Sequence, residues 1–325
     1  MTKTAIIFTG GTIAMEESKE DGLARPALSG NELLETAGIC SDEVAVEEFG
    51  NYPSPHLDFK KMFDIFKKIE VLSKDSNING IVVAHGTDIL EETAFFVDCL
   101  YGGVKPVVFT GAMKNKSQKG YDGYTNLSNA ILVAKNKKSR GYGVLVAMAG
   151  EIHAARDVTK THTSKIETFK SPGKGPLGVV DYDKVIYHRN LKRVISVRPK
   201  KVNAKVSLIK TVSGMNSDFV HYSIRNNYQG IVIEAMGRGN IPPEVAEKLK
   251  EAMKLNLVVV VTSRCHEGRV SPDYGYEGGA YDLKKAGAIL AGDMSGIKAR
   301  IRLTTALSAG LDKNAIEAII QEDVN

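Results

Sequence analysis

Short uninterrupted apolar runs alternate with longer amphipathic stretches through the first half of this chain. Ala5 to Phe8, Gly80 to Ala84, Pro106 to Phe109 and Val144 to Met148 are rich in Val, Ile or Phe and read as buried strands. Between them, Phe59 to Leu72 sets Phe59, Met62, Phe63, Phe66 and Ile69 at spacings of three and four. That spacing makes one apolar stripe, fit to cover a sheet. Strand, helix and strand at this cadence predict an α/β fold whose larger N-terminal part is a mostly parallel sheet with helices on both faces.

The pattern changes between Arg189 and Lys205, where Lys192, Arg193, Arg198, Lys200, Lys201 and Lys205 surround Pro199. This basic, irregular stretch reads as a linker with a solvated surface. Beyond it a smaller α/β pattern follows, with Ile231 to Ala235 as a strand, Pro242 to Lys254 as a helix and Leu257 to Thr262 as a strand. Helices then run to the C-terminus. The expected division is residues 1–188 as an N-terminal catalytic domain, 189–205 as linker and 206–325 as a C-terminal domain. A chain of 325 residues agrees with two cores better than with one.

Composition narrows the function classes. Hydrophobic residues at 43% and charged residues at 25% are ordinary for a globular chain. A net charge of +5, with Asp and Glu spread throughout, concentrates no field for nucleic acid. Cys40, Cys99 and Cys265 are odd in number and lack metal-ligand spacing, so free thiols are expected rather than disulfides or a zinc site. The N-terminus runs directly into the first strand without the longer apolar region of a secretory signal. No run reaches the roughly 18 apolar residues of a membrane span. A cytoplasmic protein without a nucleic-acid or membrane partner is the expectation.

Ligands of open α/β sheets bind outside the carboxyl ends of the strands. Three predicted strand exits are loaded with hydroxyls and glycine: Thr9-Gly10-Gly11-Thr12, His85-Gly86-Thr87-Asp88 and Thr110-Gly111-Ala112-Met113. Glycine there permits close backbone approach and positive φ beside the hydroxyl that is presented. Amide hydrolysis needs a nucleophile, a proton carrier and donors aimed at the developing oxyanion. Thr12, Thr87, Asp88 and Lys160, the last within Arg156 to Thr163, are the groups able to supply them.

These residues resemble the bacterial-type L-asparaginase family. The resemblance rests on Thr9 to Ala14 and on His85 to Ala94, and extends through Thr110 to Met113, Asp122-Gly123 with Asn126-Leu127, Arg156 to Thr161, Phe169 to Ser171, Gly175 to Gly178 and Gly237 to Asn240. It covers most of the chain in order. It implies a two-domain α/β enzyme, a homodimer or homotetramer, that converts asparagine to aspartate and ammonia without a cofactor. By similarity Thr12 attacks the side-chain carbonyl, while Thr87, Asp88 and Lys160 form a second hydroxyl, carboxylate and amine group. The Thr87 amide would hold the oxyanion, Ala112 would offer backbone to the leaving amide, and Gly11 and Gly86 would line the substrate. Ser54 would hold the substrate α-carboxylate, Asp88 its α-ammonium, and Asn240 would reach a neighbouring subunit's site, as Glu277 would by a weaker match. An Asp88 carboxylate close to Lys160 would favour the ammonium form, so Lys160 is expected to be charged at rest and to move a proton only during reaction.

The chain departs from the family pattern in two places. The segment Met15 to Gly30 contains no tyrosine, where the family's mobile loop brings one to the nucleophile; Leu23 or Arg25 stands in that neighbourhood, so either another group activates Thr12, a tyrosine such as Tyr276 approaches from elsewhere, or turnover is low. Asp21 and Gly22 still favour a flexible lid there. Ser54 is followed by Pro55-His56 instead of a polar or acidic pair, which leaves His56 either as a hydrogen-bonding group for substrate or as a surface loop residue. Glu91-Glu92, on a helix expected to begin at Asp88, read as helix-capping or helix-contact residues. Two other functions share the motifs: the amidase subunit of a tRNA-dependent amidotransferase, which carries an extra N-terminal domain for which this chain has no expected room, and a non-catalytic amino-acid sensor. Retention of all four reactive side chains favours the hydrolase.

Overall fold

The computed structural model describes residues 2–191 and 193–324, and divides them into two units between Ser196 and Val197. The first unit opens with β1 (Lys3–Phe8), the hairpin β2 (Met15–Glu17) and β3 (Ala24–Pro26), α1 (Gly30–Thr36) and β4 (Val44–Glu48). It continues through α2 (Phe59–Lys74), β5 (Ile78–Ala84), α3 (Leu90–Leu100), β6 (Val107–Thr110), α4 (Gly123–Lys135) and β7 (Val144–Met148). Short strands complete it: β8 (Glu151–Ala154), β9 (Thr159–Lys160), β10 (Phe169–Lys170), β11 (Gly178–Asp181) and β12 (Lys184–Tyr187).

Its main sheet runs β12-β11-β8-β7-β6-β5-β1-β4. Strands β4, β1, β5, β6 and β7 are parallel, and β8, β11 and β12 are antiparallel additions at one edge. The parallel strands are buried on both faces, which is why they read as unbroken apolar runs rather than as alternation. Ile6, Phe8, Val82, Ala84, Val108, Leu145 and Ala147 face one way, under Leu33 and Leu34 of α1 and Leu127, Ala130 and Ile131 of α4. Their alternates Ala5, Ile7, Ile81, Val83, Val107 and Phe109 are equally buried and point to the other face. That face carries α2 and α3, with Phe59 stacked on Phe96 at 5.7 Å. Each Val, Leu, Ile or Phe so buried contributes about 1.5–3 kcal/mol. Along α2 the buried positions are Met62, Ile65, Phe66 and Ile69; Ile65 joins the stripe, while Phe63 is only half-buried and stacks on Phe66.

The connections reveal an exception in handedness. The β5–α3–β6 and β6–α4–β7 crossovers step the same way across the sheet but lie on opposite faces, so their hands are opposite. The crossovers through α1 and α2 share the hand of the α3 one, which leaves α4 as the odd member. Since such crossovers are almost always right-handed, the α4 crossover is left-handed. It places α4 on the face of α1, and the segment Gly111 to Asp122 passes beside the turn that follows β1.

The second unit contains β13 (Val206–Lys210), α5 (Asp218–Arg225), β14 (Gly230–Ala235), α6 (Pro243–Lys254), β15 (Val258–Ser263), α7 (Ala280–Lys285), β16 (Ile289–Leu290), α8 (Gly296–Ser308) and α9 (Lys313–Val324). Its sheet is parallel throughout, in the order β13-β14-β15-β16. Ile231 and Ile233 pack with α6 on one face, Val232 with α8 and α9 on the other. Among the described residues no helix is long and apolar enough to cross a membrane.

Candidate active site

The site is assembled where β1, β5 and β6 end. After β1 the Thr9 amide and hydroxyl both donate to Ala84 O at 3.0 Å, holding this exit against the end of β5. Gly10 and Gly11 then turn the chain with φ of 98° and 86°, and Thr12 begins a short 3-10 turn, Thr12–Ala14. A side chain at Gly11 is impossible without displacement, because a Cβ there would lie 2.2 Å from Gly86 Cα. One at Gly86 would lie 2.8 Å from Ser54 Oγ. Gly11, Gly86 and Ser54 therefore pack backbone to backbone and backbone to hydroxyl, which draws three separate segments into one place. Thr12 is half-buried, and its hydroxyl makes no hydrogen bond to another described residue.

The exit of β5 is tied to β6 by His85 N donating to Thr110 O at 2.8 Å. His85 is fully buried, and burial draws its pKa from 6.5 to about 4 against the opposing pull of the Gly86 carbonyl. Its ring is neutral at pH 7, and the Gly86 carbonyl 2.7 Å from Nδ1 assigns the proton to that nitrogen. Thr87 and Asp88 follow. Helix α3 starts at Leu90 with Ile89 as its cap, two residues later than expected, so Asp88 is not the start of the helix. Thr87 is buried, whereas the Asp88 side chain is 63% exposed.

Lys160 arrives on β9, which is paired with β10 through Lys160 opposite Phe169. Its ammonium donates to Thr87 Oγ1 at 3.0 Å and to Asp88 Oδ1 at 2.7 Å, and the Lys160 side chain is only 14% exposed. The carboxylate that seats β9 belongs to Glu91, in the first turn of α3. Glu91 Oε1 accepts from Thr159 Oγ1 at 3.0 Å and from Lys160 N at 3.1 Å. Glu91 is thus a buried helix-contact residue, and the contact it makes sets the reach of Lys160. The sequence signal for it was the Glu91-Glu92 pair in the first turn of the expected helix.

The exit of β6 brings Ala112, whose side chain is fully buried, and the following connection is braced by Asp122. Its carboxylate accepts from Met113 N, Lys114 N and Asn126 Nδ2. Ser54 and His56 share a 3-10 turn, Ser54–His56, in which Ser54 is buried and His56 exposed. Within Met15 to Gly30, β2 and β3 pair as a hairpin with an Arg25–Asp21 ion pair near its tip, and Gly30 already opens α1. Asn240 and Tyr276 belong to the second unit; the Asn240 amide oxygen is buried without a hydrogen bond among the described residues, and Tyr276 is exposed against Tyr274. No cluster of three or more His, Cys, Asp or Glu able to hold a metal occurs among the described residues.

Comparison with known proteins places this geometry. Residues 3–193 match the asparaginase N-terminal family model and residues 205–320 the glutaminase/asparaginase C-terminal domain. The chain belongs to the asparaginase family. It is 36% identical over 309 residues to an L-asparaginase of Bacillus licheniformis, covering 94% of this chain and 96% of that one. It is 28% identical over 340 residues to a subunit of the glutamyl-tRNA(Gln) amidotransferase of Methanosarcina acetivorans, covering 100% of this chain and 78% of the relative. Among solved structures it is similar to a probable cytoplasmic L-asparaginase from Campylobacter jejuni, with a TM-score of 0.87, 31% identity and 99% of each chain covered. As a member of this family the protein is an amidohydrolase, and the two α/β units are the family's two domains.

Proposed function

We propose that the protein is an L-asparaginase that cleaves the side-chain amide of L-asparagine through Thr12. The observation that carries this reading is the convergence of Thr87, Asp88 and Lys160 in one hydrogen-bonded group beside Gly86, the residue against which the Thr12 turn is packed. Thr12 Oγ attacks the amide carbon, and the oxygen that becomes charged is met by the Thr87 backbone N–H. Collapse of the adduct breaks the C–N bond: the leaving nitrogen, facing the Ala112 backbone, takes a proton that Lys160 delivers through Thr87, and the proton that Thr12 Oγ loses in the attack returns to Lys160. Ammonia departs, and water then attacks the acyl-enzyme to release aspartate and restore Thr12.

In this reading Lys160 and Asp88 rest as an ion pair, with Asp88 Oδ1 2.7 Å from the Lys160 nitrogen. Asp88 uses its exposed second oxygen for the substrate α-ammonium, and Ser54 with the Gly11 and Gly86 backbone holds the α-carboxylate. His56 lies at the rim as a secondary substrate contact. Asn240 completes the site of a neighbouring subunit in a homodimer or homotetramer, and the enzyme works in the cytoplasm.

Ammonia release from L-asparagine, D-asparagine and L-glutamine should be measured for the wild type, Thr12→Ala and Thr87→Val. L-Asparagine is expected to be hydrolysed by the wild type, and each variant to lose on the order of 10^3-fold or more in kcat. No release from any amide by the wild type would refute the enzyme, and full activity in Thr12→Ala would move the nucleophile elsewhere.

A further inference from the structure

The turn that presents Thr12 is held by an unbroken series of hydrogen bonds to five consecutive carbonyls. Gly11 O accepts from Ala14 N at 2.9 Å, and Thr12 O accepts from Met15 N. Ala14 O accepts from Ala27 N and Leu28 N, and Met15 O from Lys116 N. These donors are all backbone, available to almost any sequence. The donor to Ile13 O is different: it is the phenol of Tyr121, at 2.6 Å, from a residue 108 positions away.

We propose that Tyr121 is a positioning residue for Thr12, clamping the nucleophile's turn from the left-handed β6–α4 connection in a chain whose Met15–Gly30 segment has no tyrosine. This deepens the reading of Thr12 as nucleophile and rests on it. Three observations carry the clamp. Its base is rigid, because neighbouring Asp122 is fixed by Met113 N, Lys114 N and Asn126 Nδ2. Its ring has a prepared seat: Tyr124 meets it edge-on with centroids 4.7 Å apart, and residue 123 is glycine where a Cβ would lie 2.1 Å from the Tyr121 hydroxyl. Its hydroxyl is one link in a longer strap, since Asn115 Nδ2 donates to Glu17 Oε1, Glu17 N donates to Ser117 Oγ, and Lys116 pairs with Glu16 at 3.2 Å.

The chemistry of the clamp is that of a donor, not of a base. Burial, then Tyr124 and Asp122, push the Tyr121 phenol well above its ordinary pKa, so it stays protonated through the working range. Tyr121 touches the peptide next to the nucleophile rather than the reacting atoms. It acts by fixing where Thr12 Oγ points, and misplacement of about 1 Å can cost on the order of 10^2-fold in rate.

The test is steady-state hydrolysis of L-asparagine by the wild type, Tyr121→Phe and Gly123→Ala, with Thr12→Ala as reference and thermal melting of each. Tyr121→Phe keeps the ring packing and removes only the hydroxyl; Gly123→Ala keeps the hydroxyl and forces the ring from its seat. Both are expected to remain folded and lose about 10-fold in kcat, with KM within about twofold and the pH-rate profile unchanged in shape. Wild-type kcat in Tyr121→Phe, with or without a lowered melting temperature, would overturn the clamp. So would a moved alkaline limb, which would make Tyr121 a proton carrier, or a loss confined to KM. Full activity in Thr12→Ala would overturn the clamp together with the reading beneath it, whereas an inactive Thr12→Ala beside a wild-type Tyr121→Phe would overturn the clamp alone.

Discussion

The two halves of the site are held by different kinds of force. The Thr12 turn is a main-chain construction: glycines at positive φ, a 3-10 turn and carbonyls served mostly by backbone amides. The Thr87, Asp88 and Lys160 half is a side-chain construction, in which an ammonium bridges a hydroxyl and a carboxylate while Glu91 seats the strand that carries it. Main-chain geometry resists changes of side chain but fails where a Cβ has no room. A charged network fails when a partner of its buried members Thr87, Glu91 or Lys160 is removed, because the buried group left behind then lacks one.

Beyond the losses expected of Thr12→Ala and Thr87→Val, the largest effect therefore falls on the network. Lys160→Met should lower kcat by on the order of 10^2-fold or more, the range of a general acid-base group, and change the pH-rate profile. A variant with the wild-type rate and profile would show that the two halves do not differ as described. In the Thr12 half the damaging change is steric. Gly11→Ala places a Cβ 2.2 Å from Gly86 Cα at a φ of 86°, and should abolish most activity while costing about 1–3 kcal/mol of stability from strain alone, read by urea denaturation.

Glu91 offers a finer division. Glu91→Ala leaves Lys160 N and Thr159 Oγ1 without their acceptor and should cost about 1–3 kcal/mol, together with a fall in kcat. Glu91→Gln retains an acceptor oxygen and should recover most of both. Equal damage from the two variants would mean that the charge, not the seat for β9, is what matters.

The smallest effect is a gradual one with pH. His85, two residues before Thr87, and His153, buried on β8, both have pKa values drawn by burial from 6.5 down to about 4, the latter against the pull of Glu151. Between these values the unfolded chain binds protons that the folded one refuses, so stability rises with pH. Their contribution is fully present above about pH 6.5, and is lost as pH falls through about 4. Urea midpoints should decline over that window, and His85→Gln should make the decline shallower. An unchanged slope would remove the acid sensitivity from the Thr87 half of the site.

Much of this protein could be read along the chain because its physics is local. The buried strands β1, β5, β6 and β7 appear as apolar runs because both faces of a parallel sheet are covered. The strand exits carrying Thr12 and Thr87 announce themselves by glycines that close approach requires. Helix α2 was legible as a period, although Ile65 rather than Phe63 fills its centre, since a period gives the stripe and only packing chooses its deepest member. Glu91 was legible only as a helix-contact residue.

Other features depend on pairs too distant for any local pattern. Lys160 meets Thr87 across 73 positions and Tyr121 meets Ile13 across 108, and neither pair has a periodicity that links its members. The hand of the α4 crossover is likewise invisible in the apolar pattern, because a stripe covers either face of a sheet equally well. Yet that choice of face carries Gly111 to Asp122 past the Thr12 turn. Sequence by itself determined the strands, their loaded exits and the candidate reactive groups, because backbone sterics and apolar burial act residue by residue. The tertiary structure decided which groups meet, since a contact between distant segments exists only once the sheet order and the crossovers have brought them to the same end.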